Sequence, residues 1–270
     1  MNSVERVKHY SSLDSELYEG TNPPPDWPDK GQVTFDDVSL RYARDLQPVV
    51  EGVTVKFQPG EKVALCGQTG SGKTSLALSL FRILDICRGQ ILIDGVDITT
   101  VPVEVLRRAL SIIPQDPDLF TGTIRGNLDP EGQSTDIELW DSLEIAQLKQ
   151  VVSSLQKGLD SEVAEGGENF SVGQRQLFCL ARAFLRKSRI LVMDEATASM
   201  DIDTDKILQE VVATAFADRT ILTIAHRISI IMNFDTVLVL SDGKIVEHDS
   251  PMVLIGKEDS VFASLARGNE

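Results

Sequence analysis

The stretch Gly67-Gln68-Thr69-Gly70-Ser71-Gly72-Lys73-Thr74 constrains this chain more than any other. It follows a short apolar run, Lys62 to Cys66, and precedes leucines and Phe81 at helical spacing between Ser75 and Leu84, so the local order is strand, glycine loop, helix. The spacing G-x-x-x-x-G-K-[ST] lets the backbone curl until successive N–H groups converge on one centre. The helix beginning near Lys73 adds its positive end to the same spot. Phosphate oxygens fit such a centre. Lys73 can neutralise β and γ phosphates, and the Thr74 hydroxyl can hold a Mg2+ that bridges them. The candidate phosphate site therefore comprises Gly67, Gln68, Thr69, Gly70, Ser71, Gly72, Lys73, Thr74 and Ser75.

Composition limits the alternatives. The 270 residues are 42% hydrophobic, enough for a real core, and 41 acids against 26 bases leave a formal charge of −15. Such a field repels nucleic acid and anionic membrane alike, so a polyanionic ligand must be held by a local cradle. Arg107, Arg108, Arg125, Arg182, Arg186 and Lys187 read as solvated helix faces and salt-bridge partners, and no nucleic-acid partner is expected. No apolar run approaches the roughly 18 to 20 residues of a membrane-spanning helix, and the start lacks the pattern of a secretory signal. A soluble domain facing the cytosol is expected. Cys66, Cys87 and Cys179 match no metal spacing and suit buried or idle thiols.

Residues 1–30 are polar, carry Pro23, Pro24, Pro25 and Pro28, and read as a short helix followed by an extended linker. The folded core is expected from about Gly31 to residue 270. Val33, Phe35, Val38, Leu40 and Tyr42 nearly alternate, and Val53, Val55 and Phe57 repeat the pattern after a turn containing Gly52, which predicts an antiparallel opening. From Gln115 to Phe170 the spacing is mostly helical, as in Ile137 to Leu155 with Thr135 or Asp136 as N-cap, and the helical insertion is placed at about residues 116–185. A helix over Val172–Arg186, a strand at Ile190–Met193, a helix at Thr204–Phe216 and a strand at Thr220–Ile224 follow. Strand Thr236–Leu240, a turn at Asp242-Gly243, strand Lys244–Glu247 and two short helices close the chain. Strands alternating with helices predict an α/β fold with a mostly parallel sheet covered on both faces.

The run Ile190-Leu191-Val192-Met193 ends in Asp194 and Glu195, placing carboxylates at the edge of a parallel strand where ligands of such sheets bind. Asp194 would orient Mg2+. Glu195, one residue further, would align and polarise the water that attacks the γ phosphate.

Between these motifs, Phe170-Ser171-Val172-Gly173-Gln174, followed by Arg175-Gln176, resembles the L-S-G-G-Q signature of ATP-binding cassette (ABC) proteins. Gln115 in Pro114-Gln115-Asp116 is similar to that family's Q-loop, Ser199-Met200-Asp201 to its D-loop, and His226 in Ala225-His226-Arg227 to its switch histidine. The stretches Glu168 to Arg182, Phe216 to Thr220 and Asn127-Leu128-Asp129-Pro130 resemble the C subfamily, which contains multidrug resistance proteins and sulfonylurea receptors, and in particular its second, carboxy-terminal cassette. The opening Met1 to Val7 resembles the segment after the last membrane helix of such proteins, which implies that this chain is a piece of a longer one.

The resemblance implies a P-loop nucleotide hydrolase that binds ATP and Mg2+ on the cytoplasmic face of a membrane. It implies head-to-tail pairing with a second nucleotide-binding domain and attachment to transmembrane domains. Ser171, Gly173 and Gln174 would then close over the partner's nucleotide, or serve only as a helix start with a serine cap. Val172 stands where the general pattern has glycine. Tyr42 would stack on adenine, or cap the core. Gln115 would reach Mg2+ or water, or be an exposed turn amide; Asp201 would shape the interface with the partner, or cap the following helix. Lys73, Glu195 and His226 form the expected catalytic set, and Thr74, Gln115 and Asp194 the metal set. The implied role is ATP hydrolysis powering transmembrane transport. The alternative is a nucleotide-sensing regulatory domain of a potassium channel subunit.

Overall fold

The structure, a computed structural model, describes residues 3–12, 16, 18–194, 202–225 and 227–268. Helix α1 (Ser3–Ser11) precedes β1 (Val33–Arg41), and residues 18–32 ahead of β1 are irregular backbone. That backbone is not loose. Trp27 Nε1 donates to the Ile93 carbonyl at 2.8 Å, and the Asp94 carboxylate accepts the N–H groups of Lys30, Gly31 and Gln32.

Alternating apolar residues make the first sheet. β1 pairs antiparallel with β2 (Val50–Phe57), and Phe35, Val38, Leu40 and Phe57 are fully buried. Gly52 sits inside β2 rather than in the preceding turn. It marks the point where pairing slips from Val38–Val53 to Leu40–Val50, a bulge that sharpens the local twist. β3 (Lys62–Cys66) and α2 (Lys73–Ser79) flank the glycine loop. The helix is shorter than the spacing predicts: Arg82 has φ 53°, and Phe81 and Leu84 reach the core from the turn beyond. Residues that sequence reading leaves unassigned then supply β4 (Asp85–Ile93), β5 (Val96–Asp97), α3 (Val103–Ala109) and β6 (Leu110–Ile113). The first sheet has the order β2-β1-β4-β5.

Residues 116–185, read as a helical insertion, hold β7 (Gly122–Thr123), α4 (Ile124–Leu128), α5 (Asp136–Ile145), α6 (Lys149–Ser153), β8 (Glu162–Val163) and α7 (Val172–Leu185). Thr135 is the N-cap of α5 and exchanges hydrogen bonds with Glu138 in a capping box. The long helix read over Ile137–Leu155 is two helices. Gln147, at φ 56°, breaks the chain between them.

β9 (Ile190–Asp194), α8 (Ile202–Ala215), β10 (Thr220–Ile224), α9 (Ile228–Ile231), β11 (Thr236–Ser241), β12 (Lys244–Asp249), α10 (Pro251–Ile255) and α11 (Val261–Gly268) complete the described chain. The second sheet has the order β12-β11-β3-β10-β9-β6, with every neighbour parallel except the β12 edge.

The period of two along each strand divides the core. Val63, Leu65, Ile190, Val192, Leu222 and Ile224 face the first sheet and α2, whereas Leu191, Met193 and Ile221 face α7 and α8. Ala64, Cys66, Val237 and Val239 pack under α10 and α11. Both faces of the parallel strands are thereby covered, as their unbroken apolar runs require.

This division makes stability unequal along the chain. Leu65→Ala, at a fully buried position, is expected to cost about 2–5 kcal/mol, and Ile137→Ala, at a 74% exposed one, less than about 0.5 kcal/mol. Denaturant titrations with equal midpoint shifts for the two variants would contradict the layer assignment.

Candidate functional site

The loop from Gly67 to Gly72 is pinned from two sides. Gly67 has φ 140°, and a Cβ there would lie 2.2 Å from the Leu240 carbonyl oxygen at the end of β11. Gly72 has φ 100° and is the N-cap of α2, and a Cβ there would press on Val50 and the Val49 carbonyl at 3.0 and 3.1 Å. Glycine is thus required both for backbone conformation and for close approach. Gly243 N donates to the Ser71 carbonyl at 3.2 Å, and Glu51 N to the Gly243 carbonyl at 2.8 Å, tying the loop to the turns of both sheets.

Lys73 is only 6% exposed, and its ammonium folds back into the curl, donating to the carbonyls of Gly67 at 2.8 Å and Gln68 at 2.9 Å. A buried ammonium needs such partners. Ser71 Oγ is buried in the same loop with no hydrogen-bond partner among the described residues. Cys66, the residue before the loop, has its thiol pushed up to about 12 by burial, against the opposing pull of Lys73.

A cleft of about 580 Å³ opens beside this loop. Its lining brings together Tyr42, Thr69, Gly70, Gly72, Lys73, Thr74, Ser75, Gln115 and Asp194. Tyr42 is 56% exposed at the end of β1, so it does not cap the core; its hydroxyl is 2.9 Å from Ser75 Oγ on α2. Asp194 ends β9, and the cleft lies off the carboxyl ends of β3 and β9, where parallel sheets present ligand sites.

Among the described residues no group of three or more His, Cys, Asp or Glu side chains gathers to hold a metal unaided. The Thr74 hydroxyl, the Gln115 carboxamide and the Asp194 carboxylate do offer oxygen donors along one cleft, which suits a hard cation that keeps waters and shares its ligands with phosphate. The unpartnered Ser71 hydroxyl and the Lys73 ammonium add donors for an anion. The residues present therefore fit a nucleotide and Mg2+.

Ser171, Gly173 and Gln174 do not line this cleft. They open α7, where Ser171 Oγ accepts from Gln174 N at 3.1 Å and Gln174 Oε1 accepts from Ser171 N at 3.0 Å. Locally this is a capping box, with Ser171 exposed. Glu195, His226 and the stretch Ser199-Met200-Asp201 lie outside the described residues.

Two side chains near the site are not what the sequence suggests. Arg182, read as part of a solvated helix face, donates from Nε to the Asn127 carbonyl and from Nη2 to Asn127 Oδ1, both at 2.6 Å, and lies over the Phe120 ring. Asn127 is 2% exposed and clamps the loop ahead of α4, accepting from Phe120 N and donating to the carbonyls of Phe120 and Thr123. The only signal for it was its place in Asn127-Leu128-Asp129-Pro130. Arg107, Arg108, Arg125 and Lys187 do pair with acids, respectively Glu16, Glu131, Asp136 with Asp160, and Glu138.

Comparison with known proteins gives consistent relatives. The sequence pattern of a family described as ABC transporter matches residues 50–198. ATP-binding cassette sub-family C member 8 of Homo sapiens is 52% identical over 274 residues, covering 100% of this chain and 17% of the relative. Metal resistance protein YCF1 of Saccharomyces cerevisiae is 49% identical over 267 residues, covering 97% of this chain and 18% of the relative. The structure of a bacterial Atm1-family ABC exporter with ATP bound superposes with a TM-score of 0.86 at 32% identity, covering 98% of this chain and 46% of that one. The chain thus spans less than a fifth of the length of the curated relatives it matches.

The burial around the loop has a chemical readout. At pH 8 a thiol with its pKa near 12 is thiolate in only about one molecule in ten thousand. Iodoacetamide is therefore expected to label exposed Cys87 in the native protein and to spare Cys66 and Cys179 until denaturation. Native labelling of Cys66 as fast as Cys87 would show the loop to be open.

Proposed function

The chain belongs to the ABC transporter family, and from that premise we propose that it binds Mg-ATP in the cleft between Tyr42 and Lys73 and hydrolyses it to ADP and phosphate. The observation that carries the reading is the convergence of a buried ammonium, a threonine hydroxyl, a glutamine and a strand-end aspartate on one cleft, with an exposed tyrosine at its mouth.

In this reading the Lys73 ammonium exchanges the Gly67 and Gln68 carbonyls for phosphate oxygens, and the loop N–H groups complete the cradle. Thr74, Gln115 and Asp194 hold Mg2+, which when bound neutralises charge on the β and γ phosphates. Tyr42 offers its ring to adenine, and the hydrogen bond to Ser75 fixes how far that ring stands from the phosphate loop. Glu195 aligns a water for in-line attack on the γ phosphorus and takes its proton as the bond to the β–γ bridging oxygen breaks. His226 donates a hydrogen bond to the γ phosphate and senses its loss.

The exposed α7 start, whose cap residues do not line the cleft, suits a second role. Ser171, Gly173 and Gln174 complete the nucleotide site of another nucleotide-binding domain packed head to tail, and that domain's equivalent segment completes this one. The wider reading makes residues 31–270 the second cassette of a C-subfamily protein. Residues 1–30 link it to transmembrane domains, so that the cassette sits at the cytoplasmic face of a membrane and powers transport. A second reading, in which occupancy of the paired site regulates a potassium channel of the sulfonylurea-receptor kind, uses the same cleft; Val172, at the first position of α7 in place of the signature's glycine, bears on the activity of the partner's site and does not separate the two.

Glu195→Gln separates binding from chemistry. The variant is expected to keep ATP affinity within about twofold, to lose hydrolysis by at least about a hundredfold, and to accumulate as a nucleotide-bound dimer in size-exclusion chromatography. Wild-type specific activity is expected to rise with protein concentration. Unchanged turnover in the variant, or activity per molecule independent of concentration, would contradict the mechanism.

A further inference from the structure

Gln176 lies on α7 beyond the Ser171 cap and is 2% exposed. Its Nε2 donates to the backbone carbonyl of Gln115 at 3.4 Å. Its Oε1 is buried and has no hydrogen-bond partner among the described residues. The Gln115 contact fixes which way the carboxamide points, because exchanging its two ends would set carbonyl oxygen against carbonyl oxygen.

The rest of the same segment is bound differently. At Asn127 both carboxamide atoms are engaged, and Arg182 joins that residue and the Asp118 carbonyl to α7. Among the described residues, the segment after β6 is therefore tied to α7 through a fully paired anchor where Arg182 meets Asn127 and Asp118, and through a half-paired joint at Gln176. Gln115, which lines the cleft, sits at the half-paired one. A buried acceptor left without a donor is costly, and such a group is explained when a second arrangement of its neighbours supplies the donor. The sequence Pro114-Gln115-Asp116-Pro117 limits the choice, since neither proline carries an N–H. Of the donors left in that segment, the Gln115 N–H belongs to the residue whose carbonyl Nε2 already holds.

We propose that Gln176 is a positioning residue for Gln115. Nε2 holds the Gln115 carbonyl, and Oε1 accepts the Gln115 N–H when Gln115 turns toward a nucleotide-bound metal, so that the cleft and the start of α7 shift together. The inference rests on the Mg-ATP reading of the cleft and deepens it by naming the side chain through which occupancy reaches α7.

The test compares wild type with Gln176→Met, which keeps the length and apolar stem of the side chain, by hydrogen exchange and by ATP binding with Mg2+ or with EDTA. Without nucleotide, exchange over residues 114–120 is expected to be about tenfold faster in Gln176→Met, with β11 unchanged. Mg-ATP is expected to protect both residues 114–120 and 171–175 in wild type and neither in the variant. ATP affinity in EDTA is expected to stay within about twofold, while the gain on adding Mg2+ falls about tenfold, and Gln115→Ala in the same background is expected to add no further loss.

Wild-type exchange at 114–120 in the variant, or independent multiplicative losses from Gln115→Ala and Gln176→Met, would overturn the proposal. If wild type binds no Mg-ATP, the reading of the cleft falls by itself, and the nucleotide-free exchange still decides the joint. Should Gln176→Met not fold, Gln176→Asn, which retracts the amide by one methylene, is expected to give the same accelerated exchange.

Discussion

An ammonium held almost out of solvent, against two carbonyls of its own loop, is the interaction around which this molecule is organised. Lys73 can occupy that place only because the loop is curled, and the curl persists because its two ends are pressed against rigid backbone. Gly67 abuts the Leu240 carbonyl on β11, and Gly72 abuts Val49 and Val50 where β2 begins. The two sheets therefore meet at the loop and set its shape jointly. A side chain at either glycine would have to move a strand, which a close-packed core resists.

The remaining site residues follow from the direction of the strands. Because β3, β9 and β10 run parallel, their carboxyl ends lie along one edge, which brings Asp194 and the glycine loop together although they are far apart in sequence. The antiparallel sheet contributes Tyr42, just past the end of β1, to the same cleft. The stretch after β6 contributes Gln115 and, through α7, a capped helix start that does not line the cleft. One scaffold thus carries a nearly complete cradle and a separate, exposed donor group. That arrangement underlies the proposed pairing of two such domains.

Much of this was legible in the sequence because the informative features are local. The glycine loop is a fixed spacing between a strand and a helix, the buried strands are short apolar runs, and the Thr135 and Ser171 caps each precede an acceptor residue at the third helical position. β4 was not legible, since Asp85 to Gln90 is mostly exposed and only Ile91 and Ile93 are buried at its end. β6 follows α3 without a loop, and Gln147 breaks a helical pattern by adopting a positive φ that its residue type does not announce. Arg182 and Gln176 gain their roles from partners some sixty positions away, Asn127 and Gln115, and no periodicity reports a contact of that kind. Glu195 could be named from its place at the end of an apolar strand run, and His226 from motif order.

The Lys73 ammonium is the group whose removal should matter most for nucleotide binding. The direct measurement is the dissociation constant of Mg-ATP for Lys73→Ala beside wild type, with circular dichroism establishing that both are folded. Loss of one charge-assisted phosphate contact predicts an affinity at least about tenfold weaker in the variant, roughly 1.4 kcal/mol or more. Equal affinity in two folded proteins would mean that the curled loop is not where the triphosphate binds.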